Sequence, residues 1–186
     1  NMNVNEVIDN RANELFGARL GTYRDVHPNA HVNMAQSTND TFPTAMRLAG
    51  LLALPTLREA ITRLERSLKR QGRRFASIVK SGRTHLQDAV PVRLGGEFRA
   101  YAVAVRKARQ DIERSTRALC ELNLGGTAVG TGMNAHPRYR RLAIHALRRW
   151  TRWPLRPAED LQERTQSMAD FARLSGSLRA YALELI

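Results

Sequence analysis

Residues 43–74 read PTAMRLAGLLALPTLREAITRLERSLKRQGRR. Leu57, Ile61, Leu64 and Leu68 recur at four- and three-residue steps, while Arg58, Glu59, Arg63, Glu65 and Arg66 fill the other faces. That is the period of an amphipathic α-helix with one apolar stripe. Ala45, Leu48, Ala49 and Leu52 carry the stripe backwards, so the spacing predicts one helix over 43–74, bent at Pro55. A helix near thirty residues is about 45 Å long, more than a compact domain of this size needs. The fold is therefore expected to be an extended bundle whose apolar stripes want partners.

Outward from this stretch, the same period returns. Phe98, Tyr101, Ala102, Val105, Ala108, Ile112, Thr116 and Leu119 mark a second long helix, with Arg99, Arg106, Arg109, Arg114 and Arg117 outside. Shorter helices are predicted over 4–15 and 139–150. A last one is predicted over 161–185, with Leu161, Thr165, Met168, Ala172, Ser175, Leu178, Ala182 and Leu185 on one stripe. No segment alternates with period two, so the predicted class is all-α, built from long antiparallel helices with no sheet in the core. Three polar segments lie between the helices, at 26–43, 80–91 and 123–137. Loops held by rigid helices are where binding and catalytic groups concentrate.

The chain has 186 residues, 42% hydrophobic and 25% charged, within the globular range. No stretch reaches the roughly 18–20 apolar residues of a membrane span, and the start does not read as a signal peptide. The single cysteine, Cys120, has no internal disulfide partner, which favours a reducing compartment such as the cytoplasm. It falls inside the second long helix, where a core role fits better than nucleophilic catalysis. The net charge is +13, and all basic residues except Lys69, Lys80 and Lys107 are arginines spread along the chain. Nucleic-acid binders concentrate charge on one face and interleave aromatics, which are 6% here, so nucleic acid is not the expected partner. A positive field also suits a small dianion.

The first polar segment ends in Ser37, Thr38, Asn39, Asp40 and Thr41, just ahead of a helix containing Pro43. As a cap, Asp40 or Thr41 would close the helix, with Pro43 in the first turn. As a site, the same run sets hydroxyls and an amide beside a helix N-terminus, whose free N–H groups attract a carboxylate or phosphate. The second segment places Thr84 and His85 in a polar turn near Arg83 and Asp88, ahead of a helix starting near Pro91. A histidine among hydroxyl donors can handle charge. The third contains Gly130-Thr131-Gly132-Met133-Asn134-Ala135, a formal dinucleotide fingerprint that lacks the strand before it and the helix after it. Its glycines are read as permitting tight turning and close backbone approach. His27 and His31 are spaced i,i+4, but Pro28 intervenes and no third metal ligand accompanies them.

Four runs together carry a resemblance: NMNVNEVI at 1–8, HVNMAQSTND at 31–40, GRTHLQDAVP at 82–91 and GGTAVGTG at 125–132. In order and spacing this resembles the aspartase/fumarase superfamily across essentially the whole chain. Ser-Thr-Asn-Asp at 37–40 and Pro-Ala-Glu-Asp-Leu at 157–161 look like the ammonia-lyase branch, whereas Gly126 looks like the fumarase form. The resemblance implies the central helical-bundle domain over 37–186, with 1–36 as the end of an N-terminal helical domain plus a loop. It also implies a homotetramer whose active sites are shared between subunits.

The implied reaction is elimination of ammonium from L-aspartate to give fumarate through an aci-carboxylate, with no redox cofactor and no metal. Fumarate hydratase, or a lyase for a substituted succinate, is the alternative enzyme. A helical assembly or nucleic-acid-binding module that lost the chemistry is the alternative class. By resemblance, Ser37, Thr38, Asn39 and Thr84 bind substrate, and His85 holds its carboxylate as the catalytic histidine, oriented by a carboxylate lying past Ile186. His27 and Asn29 resemble a secondary anion site, although Ala30 replaces the usual Asp. Ala35 stands where Ser is usual, and Gly96 where Gln is usual. The family's serine base lies in a Gly-Ser-Ser-x-Met-Pro-x-Lys-x-Asn loop that these residues do not contain. The stretch is expected to be an internal piece, cut at both ends and inactive alone.

Overall fold

The computed structural model describes residues 1–186. The chain folds as two compact units, Asn1–Leu52 with Leu119–Met168, and Ala53–Ala118 with Ala169–Ile186. Helix α1 (Met2–Leu15) opens the first unit and is followed by a single π turn, Pro28–Val32. Helix α2 (Thr38–Arg74) is unbroken for 37 residues and passes through both units. At 1.5 Å per residue it is about 55 Å long. Pro55 does not end it.

In the second unit, α3 (Leu94–Thr116) buries Ala102, Val105, Ala108, Ile112 and Thr116 of the expected stripe and packs on α6 (Ala169–Leu183). Tyr101 of that stripe is exposed, and Leu119 and Cys120 lie past the helix end in a 3-10 turn, Arg117–Cys120. Ile61 of α2, in the same unit, is also buried. Glu65 is 6% exposed there, beside Lys69 Nζ at 2.5 Å and Arg109 at 3.5 Å. Burial alone would raise its carboxyl, but the Lys69 hydrogen bond and the charges of Lys69 and Arg109 outweigh that and lower it.

Three elements differ from expectation, and one is a two-residue parallel pair, Glu121–Leu122 with Arg156–Pro157, whose Leu122 is fully buried although no sheet is expected in the core. Residues 79–93 form a hairpin, β1 (Val79–Thr84) paired antiparallel with β2 (Gln87–Arg93), where the sequence predicts a turn and a helix start near Pro91. Nearly every residue of both strands is exposed, so no apolar alternation announces them. The hairpin adds nothing to the core. Its base is closed by Leu94 N–H donating to Ile78 O and Gly95 N–H to Phe75 O. Gly95 is required there: a Cβ would stand 2.4 Å from Gly72 O. Gly96 is different, since a Cβ would meet only Arg99 Nη2 at 3.8 Å.

The helix predicted over 161–185 is two helices, α5 (Leu161–Gln166) and α6. Ser167 between them is extended, at φ −88° and ψ 130°, and its carbonyl accepts from Arg47 Nη2 at 3.4 Å. Arg47 is fully buried and also donates to Asn123 Oδ1 at 3.4 Å. Serving that guanidinium takes the Ser167 peptide out of the helical ladder, which the apolar stripe alone does not reveal.

The first unit is completed by a short parallel pair, β3 (Glu121–Leu122) with β4 (Arg156–Pro157), and by α4 (Tyr139–Thr151). Its apolar core includes Leu51, Leu119, Cys120, Leu122, Ile144 and Leu155. Polar packing is equally prominent. Asn5, Asp9 and Asn13 are all buried on one face of α1. Asn5 donates to Asn33 Oδ1, and Asn13 both donates to Val26 O and accepts from the Asp25 and Val26 N–H groups. Asp9 between them is 0% exposed, and neither carboxyl oxygen has a hydrogen-bond partner.

A buried polar atom without a partner costs about 1–3 kcal/mol. Asp9→Ala should therefore stabilise the protein by roughly that amount, seen as a higher urea midpoint at unchanged m. A lower midpoint would contradict the assignment of Asp9 as an orphan.

Candidate active site

The candidate site begins at the N-terminus of α2, where Ser37-Thr38-Asn39-Asp40 form a reciprocal cap. Ser37 Oγ accepts the Asn39 N–H at 3.2 Å, and Asp40 Oδ1 accepts the Ser37 N–H at 2.9 Å. Ser37 is thus the cap and Asp40 the residue three positions on, a capping box with aspartate in the usual glutamate position. This corrects the reading of Asp40 or Thr41 as the cap. Thr41 instead has its hydroxyl oxygen 2.8 Å from Ser37 O, to which it donates, and 3.1 Å from Asn1 Oδ1.

The second oxygen of Asp40 reaches across the unit. Oδ2 accepts the N–H groups of Gly125 and Thr127, each at 3.0 Å. The residue is fully buried. Burial pushes its carboxyl up from the ordinary 3.8, and the N–H groups of Ser37, Thr127, Gly125 and Thr41 pull it some of the way back. A carboxyl raised in the folded state stabilises the fold most below 3.8, and progressively less as pH climbs through the raised value. Burial also raises the Tyr139 phenol, with the Asp40 charge adding to it.

Two further bonds tie the same segments. Asn39 Nδ2 donates to Ala128 O at 2.8 Å, and Asn123 Nδ2 donates to Asn39 O at 3.0 Å. The loop they hold, 123–132, turns tightly through Gly125, Thr127 and Gly130, all at positive φ. At Gly130 a Cβ would stand 2.6 Å from Gln162 Cα, so only glycine lets the loop lie on α5. These are the turning and close approach expected of the glycines. Two of the loop's N–H groups face Asp40, and that loop face is closed to an anion.

Cavities open on both sides of the Asn39–Ala128 bond. One, of about 630 Å³, is lined by Asn29, Asn33, Ser37, Thr127, Thr131 and Asn134 among others. The other, of about 670 Å³, is lined by Thr38, Asn39, Gln162, Thr165 and Gln166 with apolar neighbours. The structure therefore brings Asn29 and Ser37 to one cavity, and Thr38 and Asn39 to the next. Ala35 lines the first cavity at φ 61°. His27 lies outside both linings; its Nδ1 accepts the N–H groups of Asn29 and Ala30, and its own N–H donates to His31 Nδ1. His27 therefore shapes the π turn that carries Asn29.

Thr84 and His85 belong to the other unit, at the hairpin tip. Thr84 pairs with Gln87, leaving His85 and Leu86 as a two-residue loop with φ 51° and 61°. Positive φ at both central residues is the type I′ turn, which ordinarily takes Asn-Gly. Leu86 is 99% exposed, so no packing explains a bulky residue there. Backbone strain of this kind gathers at functional sites. The Arg83–Asp88 ion pair, at 3.2 Å and mostly in solvent, closes the turn.

Residues 1–186 match the family described as Lyase. The chain belongs to that lyase family. It is 48% identical to the aspartate ammonia-lyase of Pseudomonas aeruginosa over 189 aligned positions, covering 100% of this chain and 39% of that protein. The Escherichia coli K12 aspartate ammonia-lyase is 43% identical over 185 positions, with the same coverage. The chain spans about two fifths of the length of these curated relatives. Among solved structures, a Brucella melitensis fumarate lyase:delta crystallin bound to cobalt superposes with TM-score 0.95 at 44% identity, covering 98% of this chain and 40% of that one. A class II fumarase from Schistosoma mansoni gives 0.89 at 34% identity, covering 99% and 42%. The resemblance to the aspartase/fumarase superfamily, and the expectation of a helical fold from it, both hold.

Sequence reasoning on this chain missed two contributors to the candidate site, Asn123 and the second role of Asp40. The Ser37…Asp40 spacing was a visible capping-box signal, whereas the reach to Gly125 and Thr127 across 85 residues had none. For the hairpin, Leu86→Gly should stabilise the turn by up to about 1 kcal/mol, because it removes a left-handed leucine at some cost in unfolded-chain entropy. Thermal melts of the two proteins test this; a destabilised variant would mean that Leu86 is not strained.

Proposed function

We propose that the intact protein eliminates ammonium from L-aspartate to give fumarate. A proton leaves C3, the bond from C2 to nitrogen breaks, and the electron pair freed at C3 forms the double bond. The match to aspartate ammonia-lyases over the whole of this chain carries the reading. The chemistry of the segments supports it. Removing the C3 proton spreads a second negative charge onto the adjacent carboxylate, an aci-carboxylate. Preorganised donors aimed at such charge are worth roughly 2.7–4 kcal/mol each.

Ser37, Thr38, Asn39 and Thr84 are the donors in this reading, and His85 holds the carboxylate. Asn39 has one amide hydrogen committed to Ala128 O, which orients the rest of its side chain. Asn29 adds an amide on the first cavity, while His27 acts through the turn it braces. These residues bind substrate and stabilise charge. The base that takes the proton is assigned to the family's serine loop. We further read 37–186 as belonging to the central bundle domain and 1–36 as its N-terminal approach. Exposed helix residues such as Tyr101 and Val103 are read as faces for assembly into a homotetramer with shared sites.

Hydration of fumarate is the second reading, favoured by Gly126 and by the fumarase among the structural neighbours. Intact protein assayed with L-aspartate and with L-malate separates the two, since each yields fumarate but only the first releases ammonium. Thr84→Val and Asn39→Ala should each lower turnover of L-aspartate by about 10²-fold, with oligomer size and helicity unchanged. His85→Gln keeps a hydrogen-bonding amide without positive charge and should cause a partial loss. Fumarate formed from L-malate but not from L-aspartate would overturn the ammonia-lyase reading.

A further inference from the structure

The three N–H groups that Asp40 accepts come from two segments more than eighty residues apart. Ser37 belongs to the hydroxyl-and-amide cluster at the start of α2. Gly125 and Thr127 belong to the glycine loop on the other side of the two cavities. Thr127 is buried and left-handed, at φ 58°, a conformation that a β-branched residue avoids. Its N–H is held by Asp40 Oδ2 at 3.0 Å, and the carbonyl of the next residue, Ala128, receives Asn39 Nδ2. The cluster and the loop are therefore each fixed by the other, with the Asp40 carboxylate as the joint.

We propose that Asp40 is a positioning residue of the dicarboxylate site: by accepting N–H groups from both segments, its carboxylate holds the Ser37–Asn39 donors in register with the loop that completes their cavities. This rests on the substrate reading above but reaches beyond it. Asp40 touches no substrate in this account, and its carboxylate would repel one. It is screened from the cavities by the N–H groups it accepts, and it appears in neither lining.

Asp40→Asn in the intact protein is the test, because it keeps the shape and one acceptor oxygen while turning the other into a donor. That donor must face either the Ser37 N–H or the pair from Gly125 and Thr127. Hydrogen exchange read by mass spectrometry should show faster exchange in peptides covering 37–41 or 123–131, with α3 unchanged. In the same preparation KM for L-aspartate should rise about tenfold and kcat/KM should fall about 10²-fold, the scale expected when positioned groups move by an ångström. A variant that merely folds less well would lose kcat in proportion to active protein and keep the parent KM; that result would overturn the proposal. So would unchanged exchange in both segments. A parent protein inactive on L-aspartate would instead sink the substrate reading, while the exchange measurement would still decide whether Asp40 joins the two segments.

Discussion

One carboxylate shared among three backbone N–H groups sets the geometry of the first unit. Asp40 is removed from water, and backbone N–H groups replace part of the solvation it loses. Hydrogen bonds to a charged group are worth about 1.5–3 kcal/mol each, and here they offset part of the cost of burial, which still leaves the carboxyl raised. The start of α2 and the glycine loop therefore cannot shift independently. Arg47 has the complementary role deeper in the unit, donating to Asn123 and to the Ser167 carbonyl. Together these two buried charges order a unit whose apolar core is small for its length.

The second unit works differently. Its helices are joined through an apolar stripe with one buried carboxylate, Glu65, set between Lys69 and Arg109. Rigid helices hold up a hairpin that has almost no contact surface of its own, and the hairpin carries Thr84 and His85 at its tip. His85 and Leu86 at that tip both take positive φ. Ser37, Thr38 and Asn39 thus sit in a tightly cross-braced segment of one unit, whereas Thr84 and His85 sit on an exposed hairpin of the other.

The helices were legible in the sequence because apolar residues recur with a 3.6-residue period; in α3 that stripe is buried, whereas the buried face of α1 is the polar Asn5, Asp9 and Asn13. The hairpin left none, since both faces of Val79–Arg93 meet solvent and neither needs apolar side chains. The division between α5 and α6 was hidden for another reason: Ser167 leaves the helix to satisfy Arg47, 120 residues away, while the apolar spacing runs on unbroken. The polar segments were found by composition and their roles came by resemblance. Spacing alone favoured a cap at Ser37–Thr41, and the structure shows cap geometry there, with Ser37 rather than Asp40 or Thr41 as the cap. Asn123, wedged between Asn39 and Thr165, sits in no motif and is visible only once the chain is folded.

If this arrangement exists to meet charge developing on a carboxylate, the intact protein should prefer a ligand that already carries that charge. Ionised 3-nitropropionate is a planar nitronate with the shape and charge of the aci-carboxylate, and succinate is its ground-state counterpart. Transition-state-like ligands bind about 10²-fold or more tightly than substrates where donors are preorganised for them. The direct measurement is the ratio of inhibition constants for succinate and the nitronate against L-aspartate turnover. A ratio of at least about 10² is the predicted result. Equal inhibition constants would contradict the account, since the donors would then be binding a dicarboxylate without favouring the charge that the reaction creates.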